Sequence, residues 1–439
     1  MKILFILPEY YPHSGGGIST YYIHYVKKIA AQCEEVKVLI GSGYFQGSSG
    51  FKDKNIKTED LKPHLFAKYL QQFSHLRLTP DYQRNLAAAW AMWEQSNAGE
   101  GYDIIECTDF ALGYVPWTIH HSKPIITRLH GSYGQIERYE PQLNDKFNGD
   151  INRKTELLLL NRCDQLVTHS EQNCEFWQNI FPNKQITVVL PIYEEPLNPR
   201  EVTKENFGIV CARIQQWKGP EQLCEAVELL SDPSILIKWY GRDTAYSPES
   251  STSTYLKKKY PTVWGKTIAP QIALPNQEIK AEQAKAKFAV VPSTWDMFNF
   301  TLLEYLSVGT PVVCADGAGS SSLIKHGVNG FKYKATNPKE LANCLALISN
   351  LDQQAYQNMI NEGFKTMRTT LDADVLAEQN FSLYRQILKT FKVLPSNIYL
   401  DQLFKPVYNK STTPEILGTF PLKIIIKHVL ERIKQKISR

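Results

Sequence analysis

Short apolar segments rich in β-branched residues alternate with longer helical stretches along most of the chain. Apolar runs that are separated by helices and buried on both faces are typical of parallel sheets joined by βαβ crossovers. The sequence predicts strands over 2–7, 36–40, 103–106, 124–127, 165–168 and 186–190 in a first series, and over 208–211, 235–240, 288–291 and 311–315 in a second. Two such series predict an α/β protein with two doubly wound domains.

A polar segment with three prolines, residues 191–206, joins the two series and predicts the domain boundary. A further helical stretch follows the second series, and we expect it to return to the amino-terminal domain. Beyond it, residues 394–421 are predicted to be irregular because prolines punctuate them. The expected units are 1–197, 198–373, the terminal helix 374–392 and an extension over 393–439.

The composition is that of a globular protein, with 43% apolar and 21% charged residues. No window holds the roughly 20 consecutive apolar residues of a membrane-spanning helix. The start of the chain, MKILFILPEYYP, breaks its short apolar run with Pro8 and Glu9, which is unlike a signal peptide. Eight cysteines without a CxxC pair indicate reduced thiols and no zinc ribbon. These features predict a cytoplasmic protein.

The net charge of +5 is concentrated at the carboxyl end of the chain. Residues 421–439 contain six Lys or Arg and one Glu, so the remainder of the chain is neutral overall. A neutral main body argues against a general nucleic-acid surface. The basic character is therefore a property of the tail.

The same tail, residues 421–439, places apolar residues at helical spacing, with lysines on the opposite face. The apolar positions are Leu422, Ile425, Ile426, Val429, Ile433 and Ile437. A basic amphipathic helix can lie on an anionic membrane surface, where each basic residue contributes about 1 kcal/mol. Its apolar stripe can equally pack on the protein's own core, and the sequence leaves both interpretations open.

A glycine-rich loop follows the first predicted strand and precedes a helical pattern. Gly15, Gly16 and Gly17 are consecutive there, without the GxGxxG spacing of a dinucleotide site. Glycine allows close backbone approach, and a helix amino terminus offers free N–H groups to an anion. The alternative is an ordinary turn between a strand and a helix.

A second loop, CARIQQWKGPEQL (211–223), also follows a predicted strand. Arg213 and Lys218 lie in it, and Gly219 with Pro220 begins a helix. A guanidinium and an ammonium at the carboxyl edge of a sheet suit a diphosphate. The alternative is a pair of solvated charges.

The most specific segment is 288–316, in which a buried strand leads into a short helix predicted over about 299–308. Asp296 lies in the loop before this helix, and Glu304 lies within it. The N–H groups of residues 299–301 open the helix and can hold a phosphate. The two carboxylates can accept sugar or ribose hydroxyls. The alternative is a structural cap at Asp296 and an exposed helix glutamate at 304.

Asp296 and Glu304 have seven residues between them, and the segment PSTWDMFNFTLLEYLSVGTPVV resembles the E-x7-E motif of the retaining glycosyltransferases of family 4. Other segments resemble that family in the same order along roughly residues 1–390. They are the glycine loop 15–17, NRCDQLVTHSEQ (161–172), VVLPIYEEP (188–196), RIQQWKG (213–219) and HGVNGFKY (326–333). The family has the GT-B architecture, two Rossmann-like domains facing across a cleft, and the resemblance implies that fold here.

The resemblance also implies residue roles, with the acceptor on the amino-terminal domain and a nucleotide-sugar on the carboxyl-terminal domain. The implied catalytic residues are His130 by the reacting carbon, Arg213 and Lys218 on the departing diphosphate, and Asp296 on the donor sugar. The implied donor-binding residues are Gly16, Gly17, Arg242, Phe298, Asn299, Phe300, Thr301 and Glu304, with Glu304 on the ribose and Arg242 on the nucleobase side. Asp109 follows a predicted strand at the cleft edge, and we expect it on the acceptor side.

The activity so implied is transfer of a sugar from a UDP- or GDP-linked donor, with retention of configuration, to a saccharide or lipid-linked saccharide. Such transfer fits the synthesis of a cell-surface polysaccharide or glycolipid, at the inner face of the membrane if the tail binds there. No metal or other cofactor is expected, since the histidines show no HExxH motif. The DxD in LDADV (371–375) precedes a predicted helix and is interpreted as a helix cap.

Two other functions compete with this one. Asp296 stands where the family has Glu, which motivates a catalytically silent binder of nucleotide-sugars, or a partner subunit, with the same fold. A Rossmann oxidoreductase is disfavoured because GxGxxG is absent and the second strand does not end in an acidic residue.

Overall fold

A computed structural model describes residues 1–10, 16–41, 52–53, 55–140, 146–194, 197, 202–230, 235–247, 249–407 and 421–437. Gly15, parts of the predicted domain boundary (195–196 and 198–201) and residues 438–439 of the tail lie outside the described residues.

Strands fall into two large sheets and one small one. The first sheet contains β1 (Lys2–Leu7), β2 (Glu35–Ile40), β3 (Lys52–Asp53), β4 (Ile56–Asp60), β5 (Ile104–Thr108), β6 (Ile125–Arg128), β7 (Gln165–Thr168) and β8 (Ile186–Val188). The second contains β9 (Glu205–Cys211), β10 (Ile237–Tyr240), β13 (Ile268–Gln271), β14 (Ala286–Val291), β15 (Val312–Ala315) and β16 (Gly330–Tyr333), and β11 (Ala245–Ser247) pairs with β12 (Ser250–Ser251).

Helices connect these strands and cover both sheet faces. Those before the boundary are α1 (Gly17–Ala30), α2 (Pro63–Gln72), α3 (Pro80–Gln95), α4 (Val115–Ile119), α5 (Tyr133–Tyr139), α6 (Lys146–Leu159) and α7 (Glu171–Ile180). Those after it are α8 (Pro220–Glu228), α9 (Thr252–Lys259), α10 (Asn276–Lys285), α11 (Phe300–Ser307), α12 (Pro338–Ser349), α13 (Gln353–Thr370), α14 (Ala373–Thr390), α15 (Ile398–Phe404) and α16 (Leu422–Ile437).

The first sheet has the strand order β3-β4-β2-β1-β5-β6-β7-β8. Its strands are parallel apart from β3, which pairs antiparallel with β4. The second sheet has the order β13-β10-β9-β14-β15-β16 and is parallel throughout. The prediction of two doubly wound α/β domains is confirmed.

Each sheet reverses its strand order beside its first strand. In the first sheet β2 and β5 lie on opposite sides of β1, and in the second β10 and β14 lie on opposite sides of β9. Ligands of doubly wound sheets bind beyond the carboxyl ends of the strands at such switch points. The loops after β1, β9 and β14 are the ones in which the sequence placed Gly16, Arg213 and Asp296.

The last long helix, α14, packs on the amino-terminal domain through a buried polar network. Arg128 and Glu106, both fully buried, form an ion pair at 2.5 Å. The hydroxyl of Tyr384 donates to Glu106 Oε2 at 2.5 Å and contacts the Tyr25 hydroxyl at 2.6 Å, and Asn380 Oδ1 accepts from Arg128 at 2.7 Å. The helix begins at the LDADV motif, where Asp372 accepts the N–H groups of residues 374 and 375, so the interpretation of this motif as a cap is confirmed.

The extension that follows α14 is not wholly irregular. Residues 398–404 form the short helix α15, capped by the side chain of Asn397, and the indole of Trp90 donates to the carbonyl of Phe404 at 2.8 Å. By contrast, α16 has no buried residue. Packing of the tail on the protein's own core is therefore not what this structure shows. In the described part of the chain, no helix is long and apolar enough to cross a bilayer.

Candidate functional site

Lys218 and Asp296 form an ion pair at the carboxyl edge of the second sheet. Lys218 ends a short turn after β9, and Gly219 follows it with a φ of +74°. A Cβ at Gly219 would lie 1.8 Å from the carbonyl oxygen of Pro292, so only glycine lets this loop approach the end of β14. The side chains of Lys218 and Asp296 are 15% and 10% exposed, so the ion pair is largely shielded from solvent.

Asn299 completes this group and leaves the amino terminus of α11 open. Its side chain makes no capping hydrogen bond, and its amide donates instead to Asp296 Oδ2 at 2.7 Å and to the Ser293 hydroxyl at 3.1 Å. The first N–H groups of α11 consequently lie beside the ion pair with no side-chain cap from Asn299. A cation and a helix amino terminus at one point form a site for an anion.

Glu304 lies one turn into α11 and is half-buried. Its Oε2 accepts a hydrogen bond from the amide of Gln283 at 2.8 Å. The next residue, Tyr305, accepts the N–H of Cys211 at 2.7 Å and so attaches α11 to the end of β9. This contact brings Glu304 close to the Arg213 loop, because Arg213 follows Cys211 by two residues.

The glycine loop differs from the expectation of an open anion site. The carboxylate of Glu9 accepts the N–H of Ser19 at 3.0 Å and so occupies the amino terminus of α1. A Cβ at Gly16 would lie 2.6 Å from Glu9 Oε1, whereas one at Gly17 would meet open space. Burial raises the pKa of Glu9, and the positive charge of Arg213 opposes that rise. The carboxylate of Glu9 therefore lies beside Gly16, and donor binding by Gly16 and Gly17 stays a prediction.

On the amino-terminal side, His130 faces the cleft from the loop after β6. Its Nε2 is shielded from solvent without a hydrogen-bond partner among the described residues. Its ring lies 4.8 Å from that of Tyr21 and 5.1 Å from that of His169. Burial, together with the charges of His169 and Arg128, lowers the pKa of His130 well below its ordinary value. The imidazole is thus neutral at physiological pH.

Asp109 lies beneath this loop rather than on the cleft surface. It is fully buried, and its Oδ1 accepts the N–H of His130 at 2.8 Å. Burial raises the pKa of Asp109 to about 8. Asp109 thus supports the backbone of the His130 loop, and its place on the acceptor side stays a prediction.

The remaining predicted residues occupy different surroundings. Phe298, Asn299 and Phe300 are buried, and the Phe300 ring lies 6.1 Å from that of Tyr21 in the other domain. Thr301 is half-buried at the start of α11, and Arg213 is exposed. Arg242 is exposed too, and its carbonyl accepts the N–H of Ile214 at 3.0 Å beside the Arg213 loop. Both faces of the cleft therefore contribute residues that the sequence singled out.

Sequence reasoning missed the contacts that join the domains. Trp295 stacks on Tyr139 with ring centroids 4.4 Å apart and planes 5° apart. The amide of Gln215 donates to Glu140 at 2.7 Å. These side chains follow no motif, and only their position next to a predicted site residue could have indicated them.

A further missed residue is His169, which ends the segment QLVTH after β7. Its Nδ1 lies 2.8 Å from the carbonyl of Val189, and burial lowers its pKa to about 3. A histidine at the end of a buried strand was the available signal, whereas His130 was identified through the family resemblance. In the described residues, no group of three His, Cys, Asp or Glu side chains is arranged to hold a metal ion.

Two family models match the chain. One, described as Glycosyl transferases group 1, matches residues 194–366, and the other, described as Glycosyltransferase Family 4, matches residues 15–192. Together they extend over both domains and over the loops that form the site.

Curated relatives are distant. An uncharacterised glycosyltransferase of Methanocaldococcus jannaschii is 23% identical over 65% of this chain and 75% of its own length. The N,N'-diacetylbacillosaminyl-diphospho-undecaprenol alpha-1,3-N-acetylgalactosaminyltransferase of Campylobacter jejuni is 22% identical over 51% of this chain and 61% of its own length.

Among solved structures, sucrose-phosphate synthase from Thermosynechococcus elongatus matches with a TM-score of 0.66 and 16% identity, over 89% of this chain and 100% of that chain. HepE of Anabaena in complex with UDP matches with a TM-score of 0.61 and 16% identity, over 88% and 100% of the two chains. The likeness identifies the fold as the two-domain GT-B arrangement.

Proposed function

Since this chain belongs to the glycosyltransferases of family 4, we propose that it moves a sugar from a nucleoside diphosphate donor to a saccharide or lipid-linked saccharide, with retention of anomeric configuration. The observation that carries the proposal is the meeting of Lys218, Asp296 and the amino terminus of α11 at one point of the cleft. A sugar diphosphate needs a cation and N–H donors for its phosphates and a carboxylate for its hydroxyls.

The donor would lie along the carboxyl-terminal side of the cleft. Glu304, which accepts a hydrogen bond from Gln283, would accept the ribose hydroxyls, and Asp296, which accepts one from Asn299, would accept a hydroxyl of the transferred sugar. Arg242, exposed beside the Arg213 loop, would face the nucleobase. In this arrangement the diphosphate would lie at the helix amino terminus, between the sugar held by Asp296 and the ribose held by Glu304.

Cleavage of the donor builds negative charge on the departing diphosphate and positive charge on the sugar. Lys218 would turn from Asp296 to the diphosphate, and Arg213 would add a second cation. One preorganised donor of this kind contributes about 3–4 kcal/mol to stabilisation of the transition state. We propose that these cations make a metal ion unnecessary, and that neutral His130 lies by the reacting carbon without adding repulsive charge.

The nature of the donor and acceptor is supported by the relatives. Solved neighbours of this fold hold UDP and UDP-glucose. The Campylobacter jejuni relative is named for a diphospho-undecaprenol acceptor. We propose a UDP- or GDP-linked sugar as donor and a reaction in the synthesis of cell-surface polysaccharide or glycolipid.

The test is a thermal-shift screen against UDP- and GDP-sugars, followed by NMR of the anomeric signal of the product, with and without EDTA. We expect one nucleotide-sugar to raise Tm, because a ligand that binds only the folded state stabilises it. We expect an axial anomeric bond to stay axial, and EDTA to change nothing. An inverted product, or loss of activity in EDTA, would contradict the corresponding part of the proposal. Stabilisation without hydrolysis or transfer would instead favour the silent binder.

We also propose that α16 holds the protein at an anionic membrane surface. Its apolar side chains are exposed, among them Ile426 and Val429, and most of its other residues are basic. An amphipathic helix with this charge gains from both apolar burial and attraction to anionic lipids.

Vesicle sedimentation tests the membrane contact. We expect the protein to pellet with vesicles that contain phosphatidylglycerol and to pellet less with pure phosphatidylcholine. Ile426→Glu should abolish pelleting. Leu229→Glu is the control and should not, because Leu229 is a similarly exposed apolar residue outside α16 (Ile426 is 50% and Leu229 is 52% exposed). Equal pelleting of both variants would overturn this part of the proposal.

A further inference from the structure

A cavity of about 720 Å³ opens in the amino-terminal domain between α5, α6 and α7. Its volume lies within the range of about 300–1,000 Å³ that is common for small-molecule sites. Its lining residues are distinct from those assigned above to the donor, to the reacting carbon or to α16. It therefore requires an explanation of its own.

The inner wall of the cavity is apolar. Leu157 of α6, together with Phe176, Trp177 and Ile180 of α7, contributes to it. Leu157 and Ile180 remain 39% and 37% exposed, so their apolar surface is not covered by the protein itself. Side chains of this type bind aliphatic groups by removing them from water.

Arginines lie at the opening of the cavity. Arg138 is exposed, and its guanidinium lies 5.9 Å from the centroid of the Phe176 ring. Arg153 is 49% exposed at its side chain and pairs with Asp150. A guanidinium next to an aromatic wall suits a phosphate at the end of an apolar chain.

Two carboxylates also line the cavity, Glu137 and Glu156. Glu156 is 1% exposed and accepts the N–H of Gly134 at 3.2 Å, so it holds the start of α5 in place. Burial raises the pKa of Glu156 to about 7, which reduces its negative charge at neutral pH. The repulsion between Glu156 and an anion at the opening is therefore weaker than the repulsion from an ordinary, ionised carboxylate.

Helix α5 connects the cavity to the cleft. Ser132, its N-cap, lines the cavity and follows His130 by two residues. At its other end, Tyr139 stacks on Trp295 across the cleft. Helix α5 therefore lines the cavity and contacts the other domain at its carboxyl end.

We propose that this cavity binds the aliphatic chain of a lipid-phosphate acceptor, with the phosphate at Arg138 and the sugar extending toward His130. The assignment rests on the proposed function, which it deepens by naming the acceptor as an amphiphile. An apolar pocket with a cation at its opening, and with Ser132 two residues after His130 in its lining, matches a molecule with an aliphatic tail, a phosphate and a sugar in that order.

The test is isothermal titration of the full chain with farnesyl diphosphate, compared with inorganic pyrophosphate, in the presence and absence of UDP and GDP. Each buried CH₂ raises affinity about fourfold, so farnesyl diphosphate should bind at least about a hundredfold tighter than pyrophosphate. The binding should persist when UDP or GDP is saturating. Displacement of farnesyl diphosphate by either nucleotide would place it at the donor site and overturn the inference.

Two neighbouring residues of α6 provide a matched pair of variants. Leu157 lines the cavity, whereas Leu158 is exposed to a comparable degree, 49%, and does not line it. Leu157→Arg should weaken farnesyl diphosphate binding at least tenfold, and Leu158→Arg should leave it unchanged, with equal Tm in both. Equal affinities of the two variants would overturn the inference. Binding that appears only after removal of 421–439 would overturn it as well, since α16 would then be the occupant.

Failure of the inference and failure of the proposed function give different results. Farnesyl diphosphate carries no sugar, so its binding does not depend on transfer activity. Nucleotide-dependent stabilisation with no Leu157-dependent binding would reject the cavity alone. Leu157-dependent binding in a protein that binds no nucleotide-sugar would reject the transferase, and with it the acceptor role, while retaining an apolar phosphate site.

Discussion

Across the cleft, the carboxyl-terminal domain places Lys218 against Asp296, whereas the amino-terminal domain places His130 beside His169 and above Asp109. The first wall holds its charges in an ion pair. On the second wall, burial shifts the pKa of each of the three groups toward the neutral form. The two walls therefore differ in charge as well as in sequence.

This difference suits the proposed reaction. The departing diphosphate gains negative charge, so cations belong on its side, while the sugar becomes positive and would be repelled by a charged imidazole. Electrostatic stabilisation is larger in a water-excluded site, and a neutral wall lowers the cost of excluding water. The comparison predicts that changes on the charged wall affect activity, and that changes on the neutral wall affect stability and its pH dependence.

The largest expected effect follows Lys218→Ala on the charged wall. Removing one preorganised donor should lower kcat by about 10²–10³. Asp296 keeps its hydrogen bond from Asn299, so Tm should fall by only a few degrees. Lys266→Ala, an exposed lysine of the same domain, is the control and should leave kcat unchanged. A large drop in Tm with a proportionate loss of activity would show that the ion pair is structural.

A smaller effect is expected from Glu304→Gln on the same wall. Glutamine retains the size of the side chain but loses the charge that would hold the ribose, and a hydrogen bond to a charged group contributes about 1.5–3 kcal/mol. The KM for the donor should rise about ten- to a hundredfold with little change in kcat, measured by initial rates. Glu362→Gln, an exposed change in α13, should leave KM unaltered. An unchanged donor KM in Glu304→Gln would remove this residue from the site.

On the neutral wall, Asp109→Asn should change the pH dependence of unfolding. The pKa of Asp109 rises from its ordinary value of 3.8 to about 8 on folding, so the folded state retains the proton. The proton on Asp109 therefore adds to the free energy of unfolding. This stabilisation is fully present below pH 4, and between pH 4 and pH 8 it falls by up to about 1.4 kcal/mol per pH unit. Asparagine keeps the acceptor for His130 and has no proton to lose.

Denaturant unfolding at pH 5 and pH 8 measures this effect. The free energy of unfolding of Asp109→Asn, relative to the unchanged protein, should be higher at pH 8 than at pH 5. Asp81→Asn, with a 41% exposed side chain, should show no such difference. If the free energy of unfolding of both variants followed that of the unchanged protein equally at the two pH values, Asp109 would be ionised in the folded protein. The proposed difference in charge between the two walls would then be wrong.

The smallest effect is expected from ending the chain at residue 420, which removes a region that belongs to neither wall. Because α16 buries no residue, its loss takes no apolar surface out of the core, and Tm should change by about a degree or less. Differential scanning calorimetry measures the change. A drop of many degrees would show that α16 packs on one of the domains.

Strand prediction succeeded in the centre of the sheets, and the strands that it missed lie at an edge or next to one. β7 lies over the predicted residues, and β1 does as well. The strands that the sequence did not predict are β3, β4, β13, β16 and the pair β11 and β12. All of them are edge strands except β4, which lies next to the edge strand β3, whereas the edge strand β8 was predicted. A central parallel strand is covered on both faces and must be apolar throughout, whereas a strand near the edge such as β4 (IKTED) tolerates alternating polar residues.

The sequence predicted individual residues of the candidate site, but it did not predict which of them contact each other. The sequence predicted the strand ends, the glycine loop and the two carboxylates of the motif, because each of these features depends on neighbouring residues. It did not predict that Glu9 lies at Gly16, since the sequence pattern suggested an external anion there. The stacking of Trp295 on Tyr139 was not predicted either, because nothing in the sequence around one of these residues indicates a contact with the other.

The alternation of apolar and helical segments by itself determined two doubly wound domains, and it placed the chemically capable residues in loops after strands, where such sheets bind ligands. The tertiary structure alone decided that Lys218 meets Asp296 across 78 positions of chain, that Arg128 meets Asn380 across 252, and that burial lowers the pKa of His130. Periodicity is a property of adjacent residues. Partners and pKa values depend on distances and burial that exist only once remote segments are packed together.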